Sequence, residues 1–177
     1  MIDCSGVRAP ILMRRRTFVV SAFAAAGLAG CSSFVPEGVT SPAASSREVV
    51  LKKLNEVRAA NWVKPLSYNL KLEAAAQRQA ELMATQDKIA HELGETLRER
   101  VSAAGYHEAV GENLAGGQKT LEGAIEGWLN SPSHRGTMLN PLFTEVGFAV
   151  VTKPDTKWKV FWATIYGGEA DAFLAVR

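Results

Sequence analysis

His91, Glu112, His134 and Glu145 are the side chains of this sequence best suited to polar chemistry, and three of them fall within residues 111–148. Imidazoles and carboxylates gathered in one cleft can hold a divalent metal or move a proton. All four are candidate metal ligands, and Glu112 and Glu145 are the two candidates for polarising a water. The donor types suit zinc better than calcium or magnesium. With water completing the shell, such a site is open, closer in kind to catalytic than to structural zinc. Each residue also has a plainer reading. His91 can be a solvated group after a helix, and Glu112, next to Gly111, can brace a tight loop through backbone N–H groups. His134 can be a surface group beside Arg135, and Glu145 can form a salt bridge to a helix. Ser131 or Ser133 could cap a short helix running to Leu139, which would put His134 near a positive helix end and favour the neutral imidazole. No serine-nucleophile motif, P-loop, dinucleotide-binding glycine pattern or HExxH helix is present. That argues against a conventional hydrolase and leaves a metal-activated water open.

The elements that must position these groups change period along the chain. Val50, Leu54 and Val57 recur at helical spacing and predict a helix over 46–60. Leu72, Ala76, Ala80 and Met83 form the stripe of a second helix over 69–88, with Asn69 as its N-cap. A third is predicted over 95–104, stopping at Gly105, and a fourth opens at Thr120 and carries Ile125, Trp128 and Leu129. Beyond Pro132 the period becomes two. Residues 144–152 and 157–166, around the turn 153–156, predict a β-hairpin, and a short strand is expected near 113–115. In that hairpin Phe143, Glu145 and Gly147 share one face. Helices first and strands last make an α+β layered domain.

The N-terminal segment reads as an address. Arg14, Arg15 and Arg16 precede an apolar run over 18–29 that is short for a permanent membrane span. Leu28-Ala29-Gly30-Cys31 has the form of a lipobox, so Cys31 is expected to carry the lipid. Residues 13–30 are then a lipoprotein signal peptide, and Arg15-Arg16-Thr17-Phe18 also fits a twin-arginine signal. A general secretory signal and a plain cleaved signal with a coincidental cysteine are the alternatives. Residues 1–12 lie outside the pattern, which points to a start at Met13. Residues 31–46, with their serines and prolines, read as a tether, and 47–177 as the domain. Taking residues 1–30 away from the 20 basic and 18 acidic side chains removes four arginines and one aspartate, leaving 16 and 17. The basicity therefore belongs to targeting and gives no reason to expect nucleic acid. Cys4 and Cys31 both precede the domain, which has neither disulfide nor cysteine ligand nor cysteine nucleophile.

Gly111-Glu112-Asn113, the run Trp128-Leu129-Asn130-Ser131-Pro132 with His134-Arg135 behind it, and Thr144-Glu145-Val146-Gly147 stand in an order that resembles the bacterial branch of the CAP superfamily. That superfamily groups the cysteine-rich secretory, antigen 5 and pathogenesis-related-1 proteins. The resemblance covers roughly residues 49–167. It implies a three-layer α-β-α sandwich with a small antiparallel central sheet, and a cavity containing His91, Glu112 and His134. Many members place a second glutamate five residues after the first histidine. Here that position is Thr96, so the fourth group is Glu95, Glu145 or missing. With the lipobox, the expectation is an envelope-anchored, extracytoplasmic lipoprotein, and Ser32 and Ser33 after Cys31 fit outer-membrane sorting if the cell has two membranes. The cleft would take a divalent metal and a lipid, glycan or envelope-protein ligand. A metal-dependent protease or esterase and a purely structural envelope protein are the competing expectations.

Overall fold

The computed structural model describes residues 41–171; the expected signal peptide, lipobox and Cys31 lie outside them. Of the expected tether only 41–46 is described, and it contains a single 3-10 turn at Pro42–Ala44 before Ser46 caps the first helix.

The organising element is strand β4, Val160–Gly168, every residue of which is buried. A strand can be buried throughout only if both faces are covered, and its residues divide accordingly. Val160, Trp162 and Tyr166 pack on one side, Phe161, Ala163 and Ile165 on the other. β4 is flanked by β3, Glu145–Thr152, and β2, Ala109–Gly116, both antiparallel to it. The order β1-β3-β4-β2 leaves β2 at an edge. β1, Ser67–Tyr68, pairs in parallel with β3 through Ser67 opposite Glu145. The sheet is thus mixed rather than purely antiparallel, and β1, at two residues, is too short to show a period in the sequence. β2 has eight residues rather than the three expected around Asn113. Its sequence AVGENLAG has few β-formers, so the neighbouring β4, not intrinsic propensity, makes it a strand.

Helices α1 (Arg47–Ala60), α4 (Leu121–Asn130) and α5 (Pro132–Met138) cover one face, and α2 (Leu70–Gln86) and α3 (Leu97–Ala103) the other. This is the expected three-layer α+β arrangement. The caps are local and explicit. Ser46 accepts from Val49 N, Asn69 from Lys71 N and Leu72 N, and Thr120 from Gly123 N. α3 starts later than predicted because Thr96 is its N-cap, in a reciprocal box with Glu99. α5 starts without the expected serine cap. Ser131 holds the N-cap position with no side-chain bond, and Pro132, which needs no N–H partner, opens the helix instead. α2 lies directly on β3 at Gly147, where a Cβ would come within 2.1 Å of Glu73 N. Glycine is the only residue that admits this contact.

Candidate functional site

The edge strand β2 sends neighbouring side chains to opposite layers. Glu112 shares the face of Leu114, under α2 and α3, while Asn113 shares that of Ala115, under α4 and α5. Glu112 therefore sits in a strand and not in the tight loop expected beside Gly111. Gly111 is required for space, since a Cβ there would stand 2.8 Å from the Phe143 ring and 2.9 Å from Thr137.

The Glu112 side chain is only 1 % exposed, and both its oxygens are engaged. Oε2 accepts from His91 Nδ1 at 2.8 Å and Oε1 from Arg100 Nη2 at 2.8 Å. A carboxylate can only accept, so Nδ1 carries the hydrogen and Nε2 is the ring nitrogen left with a lone pair. Arg100 is buried, and its Nη1 also donates to Glu95 O at 2.8 Å and His91 O at 3.2 Å. One guanidinium thus fixes both the carboxylate that holds His91 and the backbone that carries it. The His91 ring is 58 % exposed. Its pKa is raised, first by the hydrogen bond to Glu112 and further by that group's charge, against an opposing effect of burial.

His134 reaches the same edge from the other layer. Asn113 Nδ2 donates to its carbonyl at 2.9 Å, which ties α5 to β2. The ring is half-buried, and its pKa is lowered, mainly by burial and secondarily by the charge of His91. The neutral imidazole expected from a helix dipole is therefore favoured for a different reason. The two histidines flank one strand edge, and the charge of His91 is felt at His134.

Glu145 belongs elsewhere. Its Oε1 accepts from Asn69 Nδ2 at 2.8 Å and its Oε2 from Tyr106 Oη at 2.9 Å. Glu112 aligns with Ile165 and Gly147, whereas Glu145 aligns with Gly167. The two carboxylates share a sheet face but stand two strands and two residues apart, about 12 Å between Cα atoms. Tyr106 fills the space between: its hydroxyl would lie 2.2 Å from a Cβ at Gly167. Glu95 is held by Arg78, Nε to Oε1 at 3.0 Å, and Thr96 is occupied as a cap. Among the described residues no three histidine, cysteine or acidic side chains are grouped to hold a metal ion. A 540 Å³ hollow lies at the Glu145 end, lined by Tyr68, Asn69, Lys71, Tyr106 and His107 among others, with neither His91 nor His134 in its wall. The polar groups His91, Glu112 and Arg100 converge at the histidine edge instead.

Arg100 is the site residue that sequence reasoning missed. Leu97, Arg100, Val101 and Ala104 follow helical spacing, so Arg100 interrupts an otherwise apolar stripe. That interruption was the available signal for a buried cation.

The comparisons with known proteins agree with this architecture. The uncharacterized protein YkwD of Bacillus subtilis is 32 % identical over 105 residues, which is 58 % of this chain and 41 % of that protein; the chain spans less than half the length of this curated relative. An extracellular Bacillus anthracis protein containing an SCP domain superposes with a TM-score of 0.62 at 23 % identity, over 69 % of this chain and 40 % of that one. An outer surface protein of Borrelia burgdorferi gives 0.60 at 24 % identity, over 69 % and 91 %. These two structures speak to the fold alone. The sequence profile of CAP, the cysteine-rich secretory protein family, matches residues 51–166, and the chain belongs to that family.

Proposed function

We propose that this CAP domain is an extracytoplasmic binding module, tethered to the bacterial envelope through Cys31, whose His91–His134 pair holds a divalent metal, zinc by preference. The observation that carries the reading is the Arg100–Glu112–His91 chain of contacts. It aims His91 Nε2 away from the carboxylate, while burial keeps His134 neutral. A neutral imidazole whose second nitrogen donates to a carboxylate is the usual arrangement of a metal-bound histidine. The donors fit a two-imidazole site rather than a four-residue one. Glu112 acts behind His91, and Glu145 contributes to packing. With fewer than the three protein ligands of ordinary catalytic zinc, the remaining positions fall to water or to a lipid, glycan or envelope-protein ligand. Bound zinc would supply Lewis acidity to such a ligand; His91 and His134 supply its place. The extracytoplasmic location is supported by the leader sequence.

Calorimetric titration with zinc tests this. The parent protein binds, the His91→Ala/His134→Ala double variant does not, and Glu112→Gln weakens binding about 10-fold or more. Because a proton must leave His91, affinity rises with pH. Unchanged affinity in the double variant would refute the site.

A further inference from the structure

A different part of the molecule, where α1 ends, carries an interaction surface unrelated to the histidines. Trp62 N donates to Ala59 O at 3.0 Å and Val63 N to Arg58 O at 3.0 Å, a Schellman ending for the helix. That turn holds Trp62 at φ +60°, the left-handed position glycine normally fills. A bulky residue there is a true outlier, and its side chain gains nothing from the fold. Trp62 is 98 % exposed, against 1 % for Trp128 and 0 % for Trp162. Strain with no packing return points to a contact outside the chain.

The surroundings say which kind. No acidic residue occurs between Glu56 and Glu73, and none between Glu126 and Glu145. The two acid-free segments are fastened together. Arg135 Nη2 donates to Asn61 Oδ1 at 2.7 Å, and Arg58 Nη1 to Met138 O at 2.7 Å and Asn140 O at 3.2 Å. Lys64, Pro65 and Pro141 stand exposed on them, and Arg135 is half-buried. One protruding indole beside cations and prolines, on two segments that carry no carboxylate, matches the needs of a phospholipid surface. Indoles settle at headgroup depth, and basic side chains meet lipid phosphates.

We infer that the Trp62 turn docks on an anionic phospholipid bilayer, with the indole in the interfacial layer and Lys64 and Arg135 toward the phosphates. This holds whether or not the histidines bind metal, and its test involves none. The 177-residue chain is added to vesicles of phosphatidylglycerol and phosphatidylcholine brominated on the upper acyl carbons, and tryptophan quenching is measured. Residues 18–29 can bring the chain to vesicles by themselves, so the reading is the difference between parent and Trp62→Gly at equal vesicle binding. Glycine suits the backbone at this position, so the variant folds with a thermal midpoint no lower than the parent's. The expected result is quenching that falls about threefold or more in Trp62→Gly. It falls comparably in Lys64→Glu and on phosphatidylcholine vesicles alone. Equal quenching in parent and Trp62→Gly overturns the inference, as does quenching indifferent to lipid charge. Vesicle-bound chain with Trp62 unquenched, the outcome if the turn instead serves a protein partner, overturns it too.

Discussion

Arg58 and Arg100 are both buried guanidinium groups, one beneath each helical layer, and they find their partners in opposite ways, with Arg100 Nε left unpaired. Arg58, 0 % exposed, donates to the carbonyls of Lys64, Met138, Asn140 and Phe143 at 2.7–3.2 Å and has no carboxylate partner among the described residues. Burial accordingly pushes its pKa down. Arg100 spends one arm on carbonyls and the other on Glu112, which in turn holds His91. The first arrangement joins segments some 80 residues apart in sequence and, among the described residues, hydrogen-bonds to backbone carbonyls alone. The second makes the folding of α3 and the orientation of a site histidine the same event. A buried cation on carbonyls alone is a fastener; one on a carboxylate also sets the geometry of whatever that carboxylate holds.

The sharpest way to break this contrast is Arg100→Met. It strands the Glu112 carboxylate in a buried position, which typically costs about 3–5 kcal/mol. Adding Glu112→Gln removes the stranded charge and should recover about 1–3 kcal/mol of that in a double-mutant cycle. Urea unfolding measures both. A single-variant loss below about 1 kcal/mol, or a cycle with no coupling, would mean that Glu112 does not depend on Arg100.

Arg58→Met should cost less, about 2–3 kcal/mol, because it leaves neutral carbonyls rather than a charge. Two of the four acceptors, Lys64 O and Asn140 O, sit at part-buried positions that water can reach. The distinguishing readout is the site. In folded Arg58→Met the His91 imidazole should titrate as in the parent and zinc binding should be unchanged. A displaced His91 titration there would show that both arginines serve the histidine edge and would erase the distinction.

The same contrast explains what the sequence made legible. α1, α2 and α4 announce themselves through apolar spacing and through Ser46, Asn69 and Thr120, whose capping bonds span at most three residues. The hairpin is local as well. β1 and the full length of β2 are not, since pairing partners 78 residues away for β1 and 45 to 59 residues away for β2 create them. Glu112 and Glu145 look equivalent in sequence because each is a carboxylate within two residues of a glycine. Their separation is decided by sheet register and by Tyr106, neither of which has a nearby signal. Arg100 looks like one more charged helix residue until Leu97, Val101 and Ala104 are seen to share its face.

The smallest expected effect, and the finest probe of the site, is the opposite pH behaviour of the two histidines in chelator-treated protein. His91 has a folded pKa above its ordinary value of 6.5, through the Glu112 hydrogen bond. Its contribution to stability is therefore fully present below that value and is lost as pH rises through the folded pKa. His134 has a folded pKa below 6.5, through burial. Its contribution is present above 6.5 and disappears as pH falls through its folded pKa. NMR titration of the ring protons should show two midpoints on either side of 6.5, His91 the higher. Glu112→Gln should bring the His91 midpoint down and leave that of His134 low, because burial and not Glu112 sets the latter. If the two midpoints moved together, the edge would behave as one coupled unit, and Arg100 would be orienting both imidazoles rather than His91 alone.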